Sequence, residues 1–231
     1  MVIKTERFNG PDLYGYVARP GQAARGGVLI FPTIFGVNDF ACGYADRLAA
    51  AGLLAAVWDI NSGLPLVTEY QECIRRARTL TDTGVAQMVR TWIDTLTARF
   101  ALKSVGLLGF CIGGRFALLC AAQDKRIDCC AMAYPSIEDP RLANQECDAV
   151  SLASEIACPV HLLQPGKDHV TSAATYDGLK NALFKRNVPT TFQYHPEAEH
   201  GFFHRETPEA NRRATSLASP LVVAFLQACL N

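Results

Sequence analysis

The chain lacks any surplus of charge, with 22 basic residues set against 22 acidic ones. A neutral chain has no electrostatic reason to gather a phosphate backbone or an anionic lipid surface, so neither nucleic acid nor membrane is expected as a partner. It also lacks an apolar run of membrane-spanning length, and Met1 to Gly10 mixes Lys4, Glu6 and Arg7 into the place where a signal peptide needs an apolar core. A cytoplasmic location and a small-molecule role are the expectation. No C-x-x-C pair occurs, and the cysteines number an odd nine, which excludes a complete disulfide framework and fits reduced thiols. Most stand inside apolar stretches, as Cys120 does in ALLCAA and Cys129 and Cys130 do in IDCCAMAY, where cysteine serves as a small buried hydrophobe. No histidine has a neighbour at metal-ligand spacing, so neither metal nor cofactor is expected. Repeats, low-complexity segments and linkers are absent too, and 231 residues at 49% apolar and 19% charged make one domain, 1–231, large enough to bury its own core.

What is present is an alternation of short apolar runs with longer helical ones. That order predicts an α/β fold with a mostly parallel sheet. Strands are expected at Val2 to Phe8, Leu13 to Arg19, 26–32, 53–60, 105–110, Cys129 to Tyr134, Val160 to Gln164 and Thr190 to Tyr194. Helices are expected at Phe40 to Ala51, Tyr70 to Leu80, Val85 to Phe100, Gly113 to Gln123, Ala173 to Arg186 and Pro220 to Leu230. GGVLIFP and VGLLGF are apolar throughout, which is the pattern of strands covered on both faces.

GFCIGG, residues 109–114, sets a nucleophile-capable side chain between glycines where a strand turns into a helix. It has the form of a nucleophile elbow, G-x-C-x-G, with cysteine for the usual serine. Gly109 and Gly113 are needed because the backbone is strained there and strand and helix come close, and Gly114 keeps that approach open. A thiol nucleophile needs a base and the base needs an orienter. Downstream, Asp168 follows the apolar run VHLLQPG and His200 follows FQYHPEAE, so both fall on loops after strands, at the sheet edge where the elbow presents Cys111. His161 reads as a packed strand residue, and His169 and His195 as loop or strand-end residues. In this fold the oxyanion is held by two backbone N–H groups, here those of Ile112 after the nucleophile and Ile34 in PTIFG.

FPTIFGVND, GFCIGGR, LQPGKD and AEHGFF resemble the corresponding segments of the dienelactone hydrolase, or carboxymethylenebutenolidase, family, and the likeness runs over nearly the whole chain. The resemblance implies a single-domain α/β-hydrolase with Cys111 as nucleophile, His200 as base, Asp168 as orienter and the amides of Ile34 and Ile112 as oxyanion hole. It makes Thr33, Phe35 and Arg205 candidate substrate-binding residues. Two departures bear on the substrate. Thr33 stands where well-studied members have a glutamate thought to help activate the thiol. Of the arginines that hold the substrate carboxylate in dienelactone-cleaving members, Arg205 is near the expected place but one residue displaced, and Arg75, Arg76 and Arg78 do not align.

The expected activity is hydrolysis of a small ester or lactone through an acyl-enzyme, with a dienelactone as one candidate substrate and a monomer or weak homodimer as the working form. Thioester cleavage or acyl transfer would use the same three side chains. A binding or redox-sensing protein with a reactive thiol is the non-hydrolytic alternative, and the downstream Asp168 and His200 argue against it.

Overall fold

The apolar runs pair into one eight-stranded sheet in a computed structural model, which describes residues 2–9, 13–24 and 26–230. The two ends of the expected domain, Met1 and Asn231, lie outside the described residues. The strands are β1 (Ile3–Asn9), β2 (Tyr14–Pro20), β3 (Gly27–Phe31), β4 (Leu54–Trp58), β5 (Val105–Phe110), β6 (Cys129–Ala133), β7 (Val160–Lys167) and β8 (Thr190–Glu199). The helices are α1 (Asp39–Ala50), α2 (Tyr70–Ala77), α3 (Asp82–Phe100), α4 (Ile112–Gln123), α5 (Ala149–Leu152), α6 (Ala173–Phe184) and α7 (Glu209–Cys229). Among the described residues no helix is long and apolar enough to cross a membrane.

The strand order is β1-β2-β4-β3-β5-β6-β7-β8. Pairing is antiparallel between β1, β2 and β4, and parallel from β4 through to β8. From β3 the chain crosses to β4 on one side and later returns to β5 on the other, so the order reverses at β3. Ligands of open α/β sheets bind at the carboxyl ends of the strands beside such a reversal.

Alternation along the central strands builds two cores. Val28 and Ile30 of β3 face Tyr44 and Leu48 of α1 and Val222 and Leu226 of α7. Leu29 and Phe31 face the other layer, with Val89 and Trp92 of α3, Phe116 of α4 and Leu179 of α6. All five residues of β3 are buried, at ~1.5–3 kcal/mol for each large aliphatic or aromatic side chain removed from water.

Several boundaries differ from the sequence expectation: α2 ends at Ala77 rather than Leu80, and α3 begins at Asp82 rather than Val85. The last helix begins at Glu209 rather than Pro220, because a buried stripe of Asn211, Ala214, Ala218, Val222 and Leu226 continues straight past the proline. Pro220 lies on the exposed side, and packing of that stripe outweighs the one lost backbone bond. β7 carries on to Lys167 and β8 to Glu199, so Asp168 and His200 each directly follow a strand. The short helix α5 was not anticipated, since a single turn leaves no periodicity to read.

Candidate active site

Cys111 joins β5 to α4 with φ 59° and ψ −124°, a conformation that costs a non-glycine residue about 1–3 kcal/mol. The neighbouring glycines are dictated by close packing of main chain. A Cβ on Gly109 would meet the Gly113 carbonyl oxygen at 2.2 Å, and one on Gly113 would meet the Phe31 carbonyl oxygen at 2.3 Å. A Cβ on Gly114 would lie 2.9 Å from Pro135 Cα, so this third glycine admits the loop after β6. That loop is tied to the elbow, since Ser136 N donates to Cys111 O at 2.9 Å.

His200 and Asp168 meet from the ends of β8 and β7. Nδ1 of His200 lies 3.0 and 3.1 Å from the two carboxylate oxygens, and the side chains are only 6% and 3% exposed. Asp168 is itself held: Oδ1 accepts from Val170 N at 2.8 Å and Thr171 N at 3.0 Å, and Oδ2 accepts from the Tyr176 hydroxyl at 2.9 Å. With no hydrogen on the carboxylate, Nδ1 is the donor, and the network therefore assigns Nε2 as the acceptor of a neutral ring. The Ser136 hydroxyl is within reach of both Nε2 and the thiol, 3.4 Å from Nε2 and 3.2 Å from Cys111 Sγ.

The charges follow from these contacts. Burial pushes the Asp168 carboxyl up, but bonding to His200 and to the Thr171 and Val170 amides outweighs it and holds the pKa below the usual carboxylate range. Burial pulls His200 down, yet Asp168 and Cys111 raise its pKa to about 9. Burial opposes ionisation of Cys111 as well, and the imidazole, the Ser136 hydroxyl and the Ile112 amide more than compensate, leaving the thiol below its ordinary value. The two shifts describe one interaction from its two ends: thiolate beside imidazolium is the favoured pair.

Cys111 and His200 open into a cavity of about 230 Å³. Thr33, Ile34, Phe35, Ile112 and Arg205 all line it, so every sequence candidate gathers here except Asp168, which stands behind the imidazole. The Thr33 hydroxyl accepts from Phe35 N at 3.3 Å and so serves its own loop. Several lining residues were not singled out from sequence. Arg78 reaches the cavity from the end of α2, whereas Arg75 and Arg76 pair with Glu72. Glu138, His169 and His204 line it as well. Burial, with Arg205 and His200 nearby, pulls His204 down to about 4 and keeps it neutral. Ser136 gave no signal beyond its place after β6, at the same edge. His161 is packed away from the cavity, stacked on Phe225.

Behind the cavity Arg115 and Asp82 form a buried bidentate pair at 2.5 and 2.9 Å that also binds the main chain of Cys147 from both sides. It fastens the segment carrying Glu138 and Gln145 to α3 and α4.

A mostly parallel sheet with a strand-to-helix elbow at Cys111 beside its reversal point is the α/β-hydrolase fold. The profile of the dienelactone hydrolase family matches residues 13–230, and the chain belongs to that family. A carboxymethylenebutenolidase of Rhodococcus opacus is 27% identical over 221 residues, covering 94% of this chain and 85% of that protein. A Bradyrhizobium protein named "Probable 2-oxo-3-(5-oxofuran-2-ylidene)propanoate lactonase" is 34% identical over 118 residues, which span 49% of this chain and 48% of that relative. In fold, a dienelactone hydrolase crystal structure from Anabaena variabilis superimposes with a TM-score of 0.71 at 22% identity, covering 99% of each chain. The family and its carboxymethylenebutenolidase relatives class the chain as a hydrolase of the ester and lactone type.

Proposed function

We propose that this protein hydrolyses a small, carboxylate-bearing ester or lactone through a thioester on Cys111. The observation that carries the reading is the buried Asp168–His200 pair converging on the strained Cys111 at the cavity. The thiolate attacks the carbonyl carbon, and the amides of Ile34 and Ile112 receive the oxyanion. As the tetrahedral intermediate collapses, His200 gives its Nε2 proton to the leaving alkoxide. Water then attacks the thioester with His200 as base, releasing the acid and restoring the thiolate and imidazolium. Asp168 keeps the ring in the tautomer this requires.

Arg78 and Arg205 at the cavity support an anionic substrate, because guanidinium donors bind carboxylates through charge-assisted bonds. The lactone in the name of the Bradyrhizobium relative is a propanoate, which has that chemistry. The test is a screen of p-nitrophenyl esters, a thioester and a dienelactone with wild type and Cys111→Ala. Turnover in the variant should fall on the order of 10⁴-fold or more, since nothing else at the elbow can form the acyl bond. Retention of more than about a tenth of the wild-type rate lies outside what loss of a nucleophile allows and would refute the assignment. Faster cleavage of the thioester than of every oxygen ester would move the reading to a thioesterase.

A further inference from the structure

The reading above uses three side chains, but the hydroxyl of a fourth is bonded to two of them. The hydrogen bonds of ordinary geometry run from thiol to hydroxyl and from hydroxyl to ring: Cys111 Sγ to Ser136 Oγ at 3.2 Å, and Ser136 Oγ to His200 Nε2 at 3.4 Å. We propose that Ser136 is the proton relay of this site, carrying the Cys111 proton to His200 and then holding the thiolate. The inference rests on the reading of Cys111 as nucleophile and His200 as base.

Directionality supports it. Asp168 fixes the proton of the neutral imidazole on Nδ1, so Nε2 must accept. A hydroxyl has one hydrogen to give and lone pairs to receive, so Ser136 donates to Nε2 and accepts from the thiol. In the transfer the S–H bond breaks as a new O–H bond forms, while the original O–H bond breaks as N–H forms. The hydroxyl is regenerated, Cys111 is left as thiolate and His200 as imidazolium. The same hydroxyl now points its hydrogen at sulfur and accepts from Nε2–H. A hydroxyl can serve in both states because it is at once donor and acceptor. The 3.4 Å arm is long, as such contacts often are before substrate tightens a site.

The position of Ser136 is fixed independently of that hydroxyl. Its own N–H is bonded to Cys111 O at 2.9 Å. On either side the Thr171 hydroxyl donates to Pro135 O at 2.8 Å and accepts from Ile137 N at 2.9 Å. Gly114 permits the approach, as only a residue without Cβ fits against Pro135. Ser136 is 5% exposed and borders the cavity. Its bond is also among the interactions that draw the Cys111 thiol below its usual pKa, after the two made by His200.

The main-chain bonds persist when the side chain is cut back, so Ser136→Ala removes the relay and keeps the loop. Two readouts decide the matter in the full-length protein: the pH profile of iodoacetamide labelling at Cys111, and kcat against KM on a p-nitrophenyl ester. In Ser136→Ala the labelling midpoint should rise by roughly one unit or more, the scale of one lost bond to a thiolate. Because the cycle starts and ends on thiolate and imidazolium, its kcat should fall by about tenfold, the scale of one lost bond to the thiolate, with KM moving less. Ser136→Thr keeps a hydroxyl and should recover to within about threefold of wild type, while Ser136→Gly substitutes for the alanine variant if that one fails to fold. An unshifted midpoint in Ser136→Ala, or a threonine variant as impaired as the alanine one, overturns the relay. Labelling needs no substrate, so it judges Ser136 even if Cys111→Ala were to keep its turnover and the hydrolase reading fell alone.

Discussion

The floor of the cavity is built of main chain and buried side chains, whereas its rim is made of long side chains reaching in from exposed positions. At the floor, Cys111 is held by a strand, a helix and three glycines packed against neighbouring main chain, and Asp168 accepts from two backbone amides and a tyrosine hydroxyl. At the rim, Arg78, Arg205 and Tyr70 are all exposed. Arg78 lies just past the last turn of a short helix, and Arg205 lies between β8 and α7. The floor is preorganised, so charge there interacts strongly and changes in geometry are costly. The rim is solvated, so each contact is worth little and can vary without disturbing the fold.

That contrast can be tested from its strongest side. His200→Ala takes away the base and the partner of the thiolate, and kcat should fall on the order of 10⁴-fold. Steady-state kinetics on an activated ester check this, and a variant within tenfold of wild type would mean that the floor does not carry the chemistry. Asp168→Asn retains shape but offers an amide where the ring needs a carboxylate. A loss of ~10²–10⁴-fold in kcat is expected with the thermal midpoint nearly unchanged, because the damage lies in the tautomer of His200. If activity fell only in step with stability, Asp168 would belong to the scaffold.

The third prediction concerns pH. A thiol drawn below its ordinary value alkylates slowly while protonated and quickly once pH rises through that lowered pKa. The midpoint for wild type should fall below that of an ordinary cysteine thiol, because the imidazolium stabilises the thiolate. In His200→Ala the imidazolium is gone and burial is opposed only by the Ser136 hydroxyl and the Ile112 amide, so the midpoint should climb above that of wild type and the rate near neutrality should drop by about tenfold or more. Peptide mass spectrometry must locate the label, because eight of the nine cysteines lie elsewhere. Identical profiles would show that the imidazole does not ionise this thiol.

The smallest effects belong to the rim. Arg78→Ala and Arg205→Ala should each raise KM by ~3–10-fold for a carboxylate ester, a charge-assisted bond discounted for solvent, and leave its neutral analogue unaltered. Equal losses on both esters would assign that arginine to structure, and a loss as large as that of Asp168→Asn would erase the distinction between floor and rim.

The amino-acid order by itself determined the α/β class, the buried central strands and the cysteine elbow, and it nominated Cys111, Asp168 and His200 in sequence. These are legible because their causes are local: periodicity of burial along a strand, and glycines where main chain must touch main chain. Only the tertiary structure decided which of three arginines after α2 begins reaches the cavity, whether a helix runs through Pro220, and that the Ser136 hydroxyl touches both thiol and imidazole. Pro220 reads as a boundary until the buried stripe on both sides of it is seen against the sheet. A serine after a strand is chemically unremarkable along the chain. It acquires meaning only where β5 to β8 end at one edge of the sheet and bring its hydroxyl to both the thiol and the imidazole.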